Sequence, residues 1–221
     1  MTLTVLGVAP SPFVRKVRVF LAEKGAEYSL ENVNIFPVPD WFAEISPLKR
    51  IPVLRDESRP APNTIADSSA ICLYAERAFP EPSLYPADPF ECGRAAWFEE
   101  YADTELANAI GMGVFRPVAL AVLMGKEPDR AAAEKTMSDR LSVMFDYLER
   151  EISGRDFLAS DAVSIADIAV ATQFVNLRHA GFAPDAKKYP QLTDYLARMH
   201  SRPSFATVIA EEAPLFARTA I

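Results

Sequence analysis

GVAPSPFVRKVRVFLAEKG, Gly7–Gly25, decides how the rest of the chain is read. The residues before it, Leu3-Thr4-Val5-Leu6, are apolar and strand-like. Pro12 to Lys24 then places Phe13, Val17, Phe20 and Leu21 near helical spacing, with Arg15, Lys16, Arg18 and Glu23 largely on the other side. Gly25 suits the end of that helix. Ser11 stands at the strand-to-helix junction, and two readings fit it. Its hydroxyl caps the helix, with Pro12 in the first turn, or it faces a ligand.

Outward from this stretch, the first eighty or so residues alternate in type. Tyr28 to Val33 reads as a strand, Asp40 to Ile45 as a short helix, and Ile51 to Leu54 as a strand. Thr64 to Ala66 reads as an edge strand and Asp67 to Ala78 as a helix. The order βαβ then ββα predicts a small mixed sheet with helices on both faces. Pro80, Pro82, Pro86 and Pro89 then crowd one segment, which predicts a linker at 81–90. Everything beyond reads as helix. Phe90 to about Leu106 continues through Gly111 and Gly113 to a break at Pro117, and a second long helix covers about Asp129 to Ile152. Ser164 to His179, Gln191 to His200 and Pro203 to Glu212 follow.

Composition narrows the function. Lys and Arg total 23 against 30 Asp and Glu, a net charge of −7 over 221 residues. Nucleic acid or an anionic membrane as main partner needs a basic footprint, and this balance argues against both. Cys72 and Cys92 form no CxxC pair, and with two histidines no metal-ligand cluster is expected. Both cysteines fit a reduced, cytoplasmic setting. The start lacks the pattern of a secretory signal. The most apolar stretch, about Ala107 to Met124, is interrupted at Arg116-Pro117, leaving each side too short to span a bilayer.

SPFVRKVRVFLAEKG, SPLKRIPVL and IADSSAICLYAE resemble, in order and spacing, the glutathione-binding half of the cytosolic glutathione transferases. SIADIAVA and YPQLTDYLARMHSRPSF are similar to the family's C-terminal helical domain. The resemblance spans nearly the whole chain and is strongest to the serine-type classes, including the plant tau class and bacterial relatives. It implies an α/β thioredoxin-like N-terminal domain over 1–80 and an all-α C-terminal domain over 91–221. It also implies a cytoplasmic homodimer that takes glutathione as cosubstrate without a metal.

That chemistry needs a thiolate. A free thiol has a pKa of about 8.5, and lowering it by about two units takes roughly 2.7 kcal/mol. One hydrogen bond to a charged group supplies about 1.5–3 kcal/mol, and a helix N-terminus about 0.3–1 more. Ser11 is placed to donate that bond to sulfur. Where thioredoxin-like redox proteins carry CxxC, this chain has Ser11-Pro12-Phe13-Val14, so disulfide exchange has no sulfur to use.

The resemblance assigns further residues. Pro52 is cis in the family, which leaves the backbone of Ile51 to pair with the cysteinyl unit like one extra strand. An edge-strand proline is the plainer reading. Arg50 matches a position near the peptide and reaches a glutathione carboxylate or solvent. Asp67 would hold the γ-glutamyl ammonium, and Ser68 with the helix start its carboxylate. Many relatives carry Glu where this chain has Asp67, and a plain cap fits as well. Phe13, Phe98, Tyr101 and Glu105 are the candidates for the acceptor pocket, the last three at i, i+3, i+7; plain core also fits that spacing. Ser164 and Asp167 have capping-box spacing and a folding role, and His179 and His200 read as structural or surface groups. The function implied is conjugation of glutathione to a small apolar electrophile. Peroxide reduction, isomerisation or ether cleavage on the same site, or a glutathione-binding interaction module, are the alternatives.

Overall fold

The computed structural model describes residues 2–34 and 37–217. The chain divides into two compact units that meet between Leu84 and Tyr85.

The first unit contains β1 (Leu3–Gly7), α1 (Pro12–Glu23), β2 (Tyr28–Asn32), α2 (Asp40–Ile45), β3 (Val53–Asp56), β4 (Thr64–Ala66) and α3 (Ser68–Ala78). The strands form one mixed sheet in the order β2-β1-β3-β4. β1 pairs parallel with β2 and antiparallel with β3, and β3 pairs antiparallel with β4. All five residues of β1 are buried. LTVLG lacks alternation because a central strand is covered on both faces. Leu6, Val33, Phe42 and Val53 form a core cluster, with Ile45, Ile51 and Ala66 packed against it.

The charged side of α1 is largely buried. Arg15 and Lys16 are 0% exposed and Arg18 is 5% exposed. Each cation reaches a defined acceptor: Arg15 Nη2 donates to Pro10 O at 3.5 Å, Lys16 Nζ to Ser69 Oγ at 3.0 Å, and Arg18 Nε to Tyr28 Oη at 3.0 Å. Lys16 thus bonds to α3 and Arg18 to β2, and the polar stripe is hydrogen-bonded within the protein rather than solvated. Buried charge persists where hydrogen-bond partners accompany it. Lys24 extends the pattern, donating to Pro82 O at 2.6 Å and pairing with Glu76. Glu76 in turn accepts from the Ser83 hydroxyl and Leu84 N.

The second unit is helical: α4 (Pro89–Leu123), α5 (130–152), α6 (Ile165–His179), α7 (Pro190–Ser201) and α8 (Pro203–Phe216). The expected break at Pro117 does not occur. Over Ala102–Leu120 the chain is wound in wider π turns with Pro117 inside. A proline in an α-helix crowds the carbonyl four residues back; the wider turn relaxes that crowding. α4 is therefore continuous, and by length and composition it is long and apolar enough to cross a membrane, with a window of mean hydropathy 1.7. Leu106, Ala109, Ile110, Val114, Val118 and Ala119 are nonetheless buried. Gly113 marks a close approach, since a Cβ there would lie 2.5 Å from Thr136 Cγ2 on α5.

α6 is buried along nearly its whole length. Asp167 anchors its first turn. One carboxylate oxygen accepts from Leu158 N and Tyr195 Oη, and the other from Ser164 N and the Ser164 hydroxyl. Burial pushes the Asp167 carboxyl up, against these donors, which favour its ionised form. The folding role expected of Ser164 and Asp167 is what the contacts show. His179 is also structural, bonded to the buried Glu212 at 2.8 Å and stacked on Phe216. His200 meets Ala171 O at 2.9 Å.

Candidate functional site

Sheet register assembles the site in the first unit. Leu6 pairs with Val53, and Val53 with Ala66. β1 and β4 run one way and β3 the other, so the exit of β1, the entry to β3 and the exit of β4 share one end of the sheet. Ser11, Ile51-Pro52 and Asp67-Ser68 follow or precede those three strand ends directly. Asp67 N donates to Pro52 O at 3.4 Å. A Cβ at Gly7 would lie 2.5 Å from Val14 Cγ2 and 3.5 Å from Ile51 Cβ. Only glycine lets β1, α1 and the Ile51 turn approach this closely.

Ser11 is the N-cap of α1, in extended conformation with Pro12 following. Its Oγ accepts from Val14 N at 3.5 Å. In that bond the hydroxyl oxygen is an acceptor, so its own proton remains available to a further acceptor. Cap and ligand donor are therefore compatible roles for one hydroxyl.

The Ile51-Pro52 bond is cis. The ladder of β3 begins at Val53, which leaves Ile51 outside it. Arg50 is exposed, and its backbone is held by a residue that the sequence reading passed over. Ser46, 2% exposed, accepts from Arg50 N at 3.2 Å and donates to Arg50 O at 2.8 Å. One hydroxyl thus closes the turn over 47–49 that delivers Ile51. Ser46 opens the quoted stretch SPLKRIPVL, but nothing in residue type or spacing announces a bond back to its own loop.

Asp67 is exposed and caps α3, its Oδ1 accepting from Ser69 N at 2.9 Å and Ala70 N at 3.1 Å. Its φ of 95° lies where non-glycine residues are strained. Both cap bonds fall on Oδ1, and Oδ2 makes neither. Ser68 is the first residue of α3 and only 4% exposed, and its hydroxyl takes no part in the cap. This end of the sheet offers a hydroxyl donor, an extended backbone segment outside the ladder, and a carboxylate beside a helix N-terminus. That set suits a short peptide carrying an ammonium, a carboxylate and a polarisable nucleophile.

Known proteins match the chain over both units. Residues 10–78 match the family model described as glutathione S-transferase, N-terminal domain, and residues 112–203 match glutathione S-transferase, C-terminal domain. The uncharacterized GST-like protein YibF of Escherichia coli is 30% identical over 202 residues, covering 91% of this chain and 95% of the relative. The chain belongs to the glutathione S-transferase family. FtsZ-localized protein A of Caulobacter vibrioides is 27% identical, covering 92% of this chain and 89% of that one. A solved glutathione S-transferase of Rhodospirillum rubrum superposes with a TM-score of 0.84 at 27% identity, covering 93% of this chain and 91% of the other.

The acceptor candidates divide between the units. Phe13 is half-buried on α1. Phe98, Tyr101 and Glu105 all lie on α4, but they differ in environment. Phe98 is 0% exposed, stacked on Tyr147 with the Arg94 guanidinium over its ring. Its side chain is buried among the helices of the second unit. Tyr101 is half-buried between Trp97 and Tyr147. Burial, helped by Tyr147 and Glu105, pushes its phenol up to about 12, so near neutral pH it is a hydrogen-bond donor and not a base. Glu105 is exposed. Among the described residues no His, Cys, Asp and Glu cluster suited to a metal occurs.

Proposed function

We propose that this chain is a serine-type glutathione transferase, acting on small apolar electrophiles such as activated halides, epoxides or enones. The observation that carries the reading is the Ser11 hydroxyl, capping α1 as an acceptor with its proton left to donate, at the sheet end that also holds Ile51 and Asp67-Ser68. Glutathione would lie with its cysteinyl unit along the Ile51 backbone. Its γ-glutamyl ammonium would meet Asp67, and the carboxylate the Ser68 hydroxyl and amide. Arg50 is assigned to the glycyl end. The thiol proton passes to solvent, and the Ser11 hydroxyl donates to the resulting thiolate. Sulfur then forms the C–S bond as a halide leaves with its electron pair, or as a ring or double bond takes up the electrons and a solvent proton.

The glutathione-binding half is assigned to 1–80, the linker to 81–90 and the helical half to 91–221. The protein is assigned to the cytoplasm as a homodimer. Light scattering should return about twice the 24.4 kDa chain mass; a monomer at every accessible concentration removes that assignment.

A second reading, a binding module with little catalysis, is favoured by one relative whose name places it with FtsZ. Retention on immobilised glutathione combined with conjugation assays on diverse electrophiles separates the two. Retention with turnover supports the transferase. Retention without turnover on any electrophile leaves the module, and no retention removes both.

A further inference from the structure

We infer that Ser46 is a positioning residue for the cysteinyl unit of the bound peptide, because its hydroxyl sets which way the backbone of Ile51 faces. The inference rests on the transferase reading of the site. Ser46 closes α2, its N–H donating to Phe42 O at 2.8 Å, and its carbonyl accepts from Lys49 N at 2.7 Å. Its Oγ accepts from Arg50 N at 3.2 Å and donates to Arg50 O at 2.8 Å. Ser46 is 2% exposed, so water does not compete for these bonds.

One oxygen meets the N–H and C=O of a single residue when both point to one side. They do so in an extended chain, where the next residue's pair points to the other side. Ser46 thus stands where a neighbouring strand would stand for Arg50. Ile51 precedes a proline, which keeps it extended, and its side chain packs against the Leu6, Val33, Phe42 and Val53 cluster. Arg50 is held along one edge and the Ile51 side chain is held in the core. The N–H and C=O of Ile51 are thereby aimed along the other edge, outside the ladder that begins at Val53. A peptide added there as a strand meets a partner already oriented, which lowers the ordering cost of binding.

The test compares S-methylglutathione with its depsipeptide, in which an ester oxygen replaces the cysteinyl N–H; S-methylation keeps the thiol from attacking the ester. Titrated against the full chain, the wild type should prefer the amide roughly tenfold, the size of a hydrogen bond whose loss leaves an acceptor unpaired. In Ser46→Ala other orientations open to the Arg50–Ile51 segment, and in those either ligand is held by its γ-glutamyl end alone. The amide should weaken more than the ester, and the preference should fall to about threefold or less. Ser46→Thr keeps the hydroxyl and should restore most of it. Equal binding of the two ligands by the wild type, or an undiminished preference in Ser46→Ala, overturns the inference. A preference lost in both variants assigns the effect to packing and overturns the role of the hydroxyl. Amide hydrogen exchange on the wild type supplies a second measurement should Ser46→Ala not fold. Arg50 N–H should be protected before ligand is added, and Ile51 N–H only after. An Arg50 N–H open in the free protein, or an Ile51 N–H equally open with the amide bound, overturns the inference while leaving the glutathione site standing. If the wild type binds neither peptide, the transferase reading falls and the inference with it.

Discussion

Asp67 and Asp167 each help open a helix, and they are committed to it to different degrees. Asp167 is fully buried, and its two oxygens take four donors. Asp67 is exposed on a backbone with φ of 95°, and both of its cap bonds use one oxygen. Residue type and position near a helix start are shared. What separates a carboxylate spent on the fold from one proposed to hold a ligand is how many acceptor sites the chain itself fills, and whether solvent reaches the rest.

The largest effect is expected at Asp167. Asp167→Ala strands buried donors and should destabilise by about 3–5 kcal/mol. Thermal unfolding should fall by roughly 6–20 °C at this chain length. Any protein that still folds should bind glutathione normally. A variant as stable as the wild type but deficient in glutathione would reverse the comparison.

Asp67 should show the opposite pattern. Asp67→Ala should raise the dissociation constant for glutathione roughly ten- to hundredfold while costing only about 0.5–2 kcal/mol as a lost cap. Asp67→Asn sharpens the point, because asparagine caps well and tolerates positive φ. It should hold stability within about 1 kcal/mol and still weaken glutathione. Wild-type affinity in Asp67→Asn would mean that the negative charge is not used.

Ser11→Ala tests the other cap at this end of the sheet. Fold and most glutathione affinity should survive. The thiolate absorbance of bound glutathione should titrate toward the free-thiol value of about 8.5. Conjugation near neutral pH should fall roughly tenfold per unit, partly offset by the greater nucleophilicity of a more basic thiolate. An unchanged midpoint and rate would leave Ser11 as a cap alone.

The smallest effect is expected at Asp56, at the far end of the sheet. Burial acts to raise its carboxyl, but hydrogen bonds from Ser58 and Tyr74 and the nearby Arg59 guanidinium outweigh it, so the net direction is down. A lowered native value stabilises the fold above the unfolded carboxyl range of about 3.9, and that stabilisation is lost as pH falls through the native value. Asp56→Asn should therefore flatten the acid limb of an unfolding-against-pH curve. An unaltered acid limb would show that Asp56 titrates alike in both states.

Much of this was legible in the chain itself. The strand and helix order of the first unit follows from apolar runs and their spacing, and Ser11, Pro52 and Asp67 stand at boundaries that turn chemistry marks. Burial of the α1 cations is not legible in amphipathic spacing, which separates charged from apolar residues but does not say which acceptors, such as Ser69 and Tyr28, the cations will find. Pro117 was misread because the rule that proline ends a helix assumes α turns, and the chain widens there. Phe98 fits a pocket or a core equally by spacing, and its contact with Tyr147 could not be read from the sequence because it needs two helices to pack. Ser46 carries no local signal at all, since its role is a pair of bonds to a residue that the chain must first fold back to meet.

The register Leu6–Val53–Ala66 has a consequence for how such a protein can diversify. The group proposed to face sulfur sits on one loop, and the two segments proposed to hold the peptide sit on others, each hung from a different strand. On the proposed reading, a substitution at Ser11 would change the reaction while the grip on the peptide is inherited intact. Such a scaffold would let chemistry drift without forfeiting the cosubstrate, so that new activities are sampled one loop at a time.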